Sequence, residues 1–200
     1  MSLTEEQIYQ NKIKYIELLT KLNIDLTDLT QYFEAIDYFT KPLASSGPKD
    51  YPGSLCEHAL NVYYELCQLV NAYVPGRYTE LDVIKVALFK DMYRAELYEG
   101  YLKNVKDEAS NNWVSVPAWR YSETRPTFGD LGFNAYMIAK HFVEFTDEQV
   151  EAITQWATKE NYGGDIHEIF KSFPLLTLTK MADLAATYLV DVLQQPASEE

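Results

Sequence analysis

Apolar residues recur at helical spacing along most of this chain. In residues 4–22 they follow the three-and-four spacing of an amphipathic helix: Ile8, Ile13, Ile16, Leu19 and Leu22. Asp25 or Thr27 can cap a second helix, whose apolar positions are Leu29, Tyr32, Phe33 and Ile36. The Pro- and Gly-containing stretch 41–53 then predicts a loop.

The middle and the end of the chain predict further helices. Ser54 can cap a long, largely apolar helix to about residue 73, and Thr79 can open another that reaches about Leu97. Residues 130–143 predict a helix, and Thr146 resembles the start of a capping box before a helix to about residue 158. Pro174 precedes the last predicted helix.

Residues 100–122 differ from the rest because β-branched and aromatic residues dominate them: Val105, Trp113, Val114, Val116, Trp119 and Tyr121. Such residues favour strands, so we expect a β-hairpin inserted among helices. The predicted fold class is mainly α with a small hairpin. We expect a single domain over residues 1–193 and a flexible tail over residues 194–200.

Composition and net charge argue against some classes of function, nucleic-acid binding above all. With 47% apolar and 24% charged residues, the 200-residue chain is typical of globular proteins. Its net charge of −13 repels phosphate backbones, so we expect no direct nucleic-acid binding, although a basic partner surface would fit. A basic leader and an apolar run of about 20 residues are both absent from the sequence, which favours a cytoplasmic protein without membrane contact. Cys56 and Cys67 are expected to be free thiols, because eleven helical residues separate them by about 16 Å.

Three residues that could act as metal ligands lie in apolar helical segments. His58 follows Ser-Leu-Cys-Glu, Asp91 follows Val-Ala-Leu-Phe-Lys, and Asp183 lies within Lys-Met-Ala-Asp-Leu-Ala-Ala. A carboxylate in an apolar setting is costly unless it is paired or coordinated. The plain alternative to a metal site is a set of buried ion pairs with nearby basic residues, namely Lys90, Arg94 or Lys180.

The order of these segments resembles the HD-domain superfamily of metal-dependent phosphohydrolases, and most closely the small bacterial and phage members with a hairpin insertion. The similarity covers about residues 30–190 and is carried by stretches 32–39, 53–63, 86–95, 103–106 with 113–117, and 173–188. It implies an HD-type helical bundle. It also implies that His58, Asp91 and Asp183 match three ligands of a divalent metal.

The chain departs from the pattern of this family at the consecutive His-Asp pair that defines it. Lys90 stands where the histidine of the His-Asp pair is expected. Asp130 stands where related proteins often have a histidine, and Arg94 where they often have a lysine. A protonated lysine has no lone pair to donate, and its charge repels a metal cation. Three remaining ligands can still bind zinc, so the chemistry of the donors does not exclude a metal.

We therefore expect the ammonium group of Lys90 to replace the metal by neutralising Asp91 and Asp183, with His58 bonded to one of these acids. Asp130, if it faces the same pocket, would leave a negative surplus that needs Arg94, a protonated acid or a cation. The expected function is that of a catalytically degenerate HD protein without cofactor, phage-encoded if the resemblance extends to its origin. It would bind a protein partner or a nucleotide-like ligand in the cytoplasm, of the host in the phage case.

Two alternatives stay open. One is an active nucleotide phosphohydrolase that uses a divalent metal (Mn, Fe, Zn or Mg) on His58, Asp91 and Asp183, with Asp130 as a substitute ligand. The other is an acidic protein that binds a basic surface of host machinery. The sequence does not decide whether the chain forms a homo-oligomer.

Overall fold

A computed structural model describes residues 2–107, 111–125, 129–157 and 166–190. These residues are mainly helical with one two-stranded antiparallel sheet, as the sequence pattern predicts. Helix α1 spans Glu5–Thr20 and begins with a capping box at Thr4. Helix α2 spans Thr27–Ala35, and Asp25 accepts a hydrogen bond from the Thr27 amide at its start. The predicted tail, residues 194–200, lies outside the described residues.

Two central helices differ in how well the sequence predicts their ends. Helix α3 spans Ser54–Tyr73, as expected. Helix α4 begins after its capping residue Thr79 but spans only Glu80–Phe89, and a separate turn of helix, α5, follows at Arg94–Leu97. The turn between α4 and α5 lets two consecutive charged residues contact each other. Consecutive residues of an α-helix do not face each other, whereas Lys90 and Asp91 in this turn form an ion pair.

The hairpin is slightly longer than predicted at its base. Strand β1 spans Tyr98–Lys106 and strand β2 spans Trp113–Tyr121, paired from Tyr98 opposite Tyr121 to Lys106 opposite Trp113. The base is joined to the helical body, since the Ser122 amide donates to the Leu97 carbonyl at 2.8 Å. The outer part of both strands is largely exposed.

The described part of the C-terminal half contains four further α-helices. Helix α6 spans Leu131–Ala139, shorter than predicted because residue 130 is its cap, residues 140–142 form a turn and residues 143–146 have no regular structure. Helix α7 spans Asp147–Gln155 behind the capping box predicted at residue 146. Helix α8 spans Ile166–Ser172, where the sequence analysis predicts no helix. Helix α9 spans Pro174–Ala185 and continues into a π-helical turn at Ala186–Val190.

Helix α3 is the centre of the bundle and packs against α1, α4 and α9. An aromatic cluster fills the space between α1, α2 and the turn that follows α2, and its members are Tyr15, Phe33, Tyr38 and Phe39. The hydroxyl of Tyr15 donates to the Leu88 carbonyl at 2.6 Å, so its buried polar atom is satisfied. No helix in the described ranges is both long and apolar enough to cross a bilayer.

The close packing of α6 on α7 requires a glycine at position 132. A Cβ atom at Gly132 would lie 2.3 Å from the Ile153 carbonyl oxygen and 2.7 Å from that of Thr154. Backbone atoms cannot rotate away as a side chain can, so Gly132→Ala should lower the free energy of unfolding by about 1–3 kcal/mol. Urea denaturation followed by circular dichroism measures this loss.

Gly100 supplies the matched control for that measurement. A Cβ there would meet nothing closer than a Trp119 ring atom at 3.7 Å. Gly100→Ala should therefore change the free energy of unfolding by less than about 0.5 kcal/mol. Equal losses in the two variants would contradict the close contact between α6 and α7.

Candidate functional site

Three parts of the chain bring five charged or titratable side chains together. His58 lies on the buried face of α3, and Asp183 lies in the last turn of α9, which packs on α3. Lys90 and Asp91 come from the turn between α4 and α5, and Arg94 is the first residue of α5. We call these five residues the Lys90 cluster.

The ammonium group of Lys90 lies between the two carboxylates. It donates to Asp91 and, at 2.6 Å, to Oδ1 of Asp183. Nε2 of His58 lies 3.1 Å from the same Asp183 oxygen and 3.8 Å from Oδ2 of Asp91. Because the Lys90 side chain is fully buried, these contacts replace the hydration that its charge loses.

Arg94 completes the pairing on the opposite side of Asp91. Its Nε donates to Oδ1 of Asp91 at 2.7 Å, and its Nη1 donates to the Leu43 carbonyl at 3.1 Å. Each oxygen of the Asp91 carboxylate therefore accepts from a different cation. Lys180, the third basic candidate from the sequence, instead lies with its ammonium group 5.2 Å from the Phe170 ring centroid.

Trp156, at the end of α7, covers the lysine. The Lys90 ammonium group lies 3.8 Å from the centroid of the indole ring, within the range of a cation–π contact. The indole Nε1 donates to the Lys90 carbonyl at 3.3 Å. The resemblance to HD proteins matches Trp156 to a position where relatives often have a histidine, but nothing in the spacing along the chain indicates that α7 ends beside α4.

The charges of the cluster favour ionised acids. Burial alone would raise the pKa of Asp91, but the charges of Lys90 and Arg94 outweigh it and lower that pKa below its ordinary value. Burial opposes ionisation of Asp183 too, and Lys90 and the His58 hydrogen bond again lower the pKa. Two carboxylates thus face two permanent cations, so the cluster is balanced when His58 is neutral.

The structure does not place Asp130 in this cluster. Its side chain is exposed and accepts a hydrogen bond from the Phe133 amide at 2.7 Å, which caps α6. An aspartate before a helix is a favourable N-cap, and this local role explains its position. The negative surplus considered at the sequence level therefore does not arise, and the expectation that Asp130 substitutes for a metal ligand is corrected.

A pocket of about 440 Å³ opens above the cluster. Among the residues that the structure describes, its polar lining includes Lys49, His58, Arg94 and Asp183, and its apolar lining includes Trp156. The π-helical turn after α9 contributes residues 187 and 188 to the wall. Such turns occur often at functional sites, which is consistent with a binding role for this pocket.

The loop that forms one side of the pocket depends on Ser54. The sequence predicts Ser54 as the N-cap of α3, but Gly53, with φ of +83°, is in the cap position. The hydroxyl of Ser54 instead accepts from the Leu43 amide at 2.9 Å and lies 2.8 Å from the Lys49 carbonyl. These bonds connect the beginning and the middle of the loop to the start of α3.

The side chains of His58, Asp91 and Asp183 have the spacing of metal ligands, but the ammonium group of Lys90 occupies the place of the ion. Ligand atoms of His58, Asp91 and Asp183 lie within 4.8 Å of one another. The Lys90 ammonium group contacts both carboxylates in this arrangement. A divalent cation would have to displace a buried positive charge, so the cluster as placed does not fit a metal.

Comparison of the chain with models of known protein families, with curated proteins and with solved structures gives no match.

Removing the ammonium group should destabilise the protein strongly. Lys90→Met keeps most of the volume but leaves two buried carboxylates facing each other, so the free energy of unfolding should fall by about 3–5 kcal/mol. Lys21→Met is the matched control, because its ion pair with Glu80 is half-exposed and should contribute about 0.2–1 kcal/mol. A Lys90→Met variant as stable as the wild type would refute the role of the ammonium group.

The depressed pKa values of Asp91 and Asp183 predict acid lability. Unfolded aspartates take up protons near pH 3.9, whereas the folded carboxylates resist protonation. The stabilisation is present above that pH and is lost as the pH falls, so the free energy of unfolding should decrease from about pH 5 downward. Urea titrations at several pH values measure the slope. Asp183→Asn should have a shallower slope, and an unchanged slope would contradict the assignment.

Proposed function

We propose that the chain is an HD-type protein that has lost its catalytic metal and acts by binding a ligand in the pocket above the Lys90 cluster. The proposal joins the HD-like order of segments in the sequence to the convergence of His58, Asp91 and Asp183. In this interpretation the bundle and the pocket are retained and hydrolysis is lost. The proposed location is the cytoplasm, of a host cell if the gene is of phage origin.

The proposal rests on one observation: the ammonium group of Lys90 contacts the carboxylates of both Asp91 and Asp183. A metal in this family would polarise a phosphoryl oxygen and activate a water molecule. An ammonium group neutralises the same carboxylates but offers no open coordination position and no bound water of lowered pKa. With a lysine in this position the carboxylates are still neutralised, but no group is left to polarise a phosphoryl oxygen or to activate a water molecule.

The proposed ligand is nucleotide-like or a protein side chain that carries an anionic group. Lys49 and Arg94 line the pocket as hydrogen-bond donors, and Trp156 and Tyr188 offer aromatic surface. This combination suits a ligand with both a charged and a planar part. Part of the donor capacity is used within the protein, since Lys49 pairs with Glu57 at 2.9 Å.

A metal-dependent phosphohydrolase is the second candidate, favoured by the 4.8 Å spacing of the three ligand atoms. It requires that the lysine side chain leave the carboxylates before a metal enters. The buried position of Lys90, with Trp156 over it, argues against such a movement. An acidic protein acting on a basic partner surface rests on the net charge of −13 alone.

Metal content separates the first two candidates. The wild-type protein, incubated with Mn²⁺, Fe²⁺, Zn²⁺ or Mg²⁺ and desalted, should carry less than about 0.1 equivalent of metal by elemental mass spectrometry. Lys90→His replaces the cation by a neutral donor next to three existing ligands, and should raise the content towards about one equivalent. A panel of nucleotides should release no phosphate with the wild type.

The control is the double variant Lys90→His with Asp183→Ala, which should lose the acquired metal. The opposite result would be near-stoichiometric metal in the wild type that disappears in Asp183→Ala, together with phosphate release from a nucleotide. That outcome would replace the binding proposal by the phosphohydrolase.

A further inference from the structure

Two buried tyrosine hydroxyls form a short polar chain that ends on α4. Tyr15 on α1 and Tyr38 in the turn after α2 are both fully buried. Their hydroxyl oxygens lie 3.2 Å apart, and the Tyr15 hydroxyl donates to the Leu88 carbonyl at 2.6 Å. A tyrosine hydroxyl has one proton, so Tyr15 donates to Leu88 and accepts from Tyr38. The chain of hydrogen bonds therefore has a fixed direction, from Tyr38 through Tyr15 to α4.

Packing and burial hold the Tyr15 donor in place. Its ring meets the rings of Phe33 and Phe39 edge to face, with centroids 5.8 Å and 5.6 Å apart. Burial raises the pKa of Tyr15 and of Tyr38 well above the ordinary value, so both hydroxyls stay protonated. The fold thus presents a permanent donor to one particular carbonyl of α4.

The carbonyl of Leu88 lies where the winding of the chain changes. In a continuing α-helix it would accept from the Met92 amide, four residues later. The Met92 amide donates to the Phe89 carbonyl instead, at 3.1 Å, and the amides of residues 94–96 also donate three residues back. The chain therefore leaves α-helical winding at the carbonyl that Tyr15 occupies.

The tighter winding matters for the ion pairs of the Lys90 cluster. A turn with bonds three residues back differs from an α-helix by ~20° and ~0.5 Å per residue, which is ~60° and ~1.5 Å over the three residues from Asp91 to Arg94. Arg94 bonds both to Asp91 and to the Leu43 carbonyl, at 2.7 Å and 3.1 Å. Because Leu43 belongs to a different part of the chain, α-helical winding would break at least one of these bonds.

We propose that Tyr15 is a positioning residue for the Lys90 cluster, whose hydroxyl takes the Leu88 carbonyl, ends the α-helical winding of α4 and holds the following turn in the form that the ion pairs require. Without the hydroxyl, a buried carbonyl loses its donor, and such a loss is costly. The Met92 amide is the donor that a longer α4 would supply in its place. The inference concerns the geometry of the cluster and does not depend on the proposed binding function.

Trp156 reports on this geometry, because its indole Nε1 donates to the Lys90 carbonyl and its ring faces the ammonium group. In spectra of nitrogen-labelled protein, Trp156→Phe assigns its indole signal. Tyr15→Phe keeps the ring and removes only the hydroxyl. It should shift the Trp156 signal and speed solvent exchange of the indole proton by about tenfold or more, the usual equivalent of one lost hydrogen bond. The signals of Trp113 and Trp119, both on β2, should not change.

Tyr38→Phe is the matched control. It removes a hydroxyl from the same aromatic cluster but leaves the bond from Tyr15 to Leu88 intact. Both variants should lower the melting temperature, whereas only Tyr15→Phe should change the Trp156 signal and its exchange rate. Equal changes of the Trp156 signal in the two variants would overturn the proposal. So would a folded Tyr15→Phe protein with the Trp156 signal of the wild type.

Couplings across hydrogen bonds test the winding directly, and they do so in the wild type even if Tyr15→Phe does not fold. A long-range HNCO spectrum of deuterated protein should connect the Met92 amide to the Phe89 carbonyl carbon. In Tyr15→Phe the same amide should couple to the carbonyl carbon of Leu88. A coupling from Met92 to Leu88 in the wild type would refute the role of Tyr15, since the helix itself would then hold that carbonyl.

Discussion

The burial of one ammonium group between two carboxylates is the constraint on which the site depends. A fully buried lysine is rarely tolerated unless its charge is matched, and here Asp91 and Asp183 match it. The carboxylates in turn need the cation, because their burial alone would favour protonation. Neither side of the pairing is stable in this position without the other, so α4, α9 and the turn after α4 are coupled through three side chains.

Several local departures from regular structure serve this pairing. Helix α4 ends early, and the turn that follows lets the consecutive residues Lys90 and Asp91 contact each other. The close packing of α6 on α7 at Gly132 belongs to the arrangement that presents Trp156 to the lysine. The π-helical turn after α9 begins three residues beyond Asp183 and contributes to the pocket wall.

Outside the cluster, tyrosine hydroxyls are among the donors to carboxylates. Among the residues that the structure describes, four tyrosine hydroxyls donate to glutamates: Tyr32 to Glu96, Tyr51 to Glu57, Tyr63 to Glu80 and Tyr78 to Glu148. Burial and the neighbouring glutamate raise the pKa of Tyr51 and of Tyr78 to about 12, so these hydroxyls stay protonated donors. Because these donors are neutral, they leave the net negative charge of the chain in place.

The sequence by itself determined the helical class, the hairpin and the identity of the chemically capable residues. Periodicity and capping are local properties, so α3, the helix start at Thr79 and the capping box at Thr146 are predicted well from neighbours in the chain. Burial of acids among apolar residues also indicated that Asp91 and Asp183 need partners. Only the tertiary structure decided which partners they have, since ion pairing depends on distances between residues up to 93 positions apart. It brought Arg94 to Asp91 and Trp156 to the lysine, and it placed Asp130 at an exposed helix cap, because packing of helices rather than spacing along the chain sets those positions.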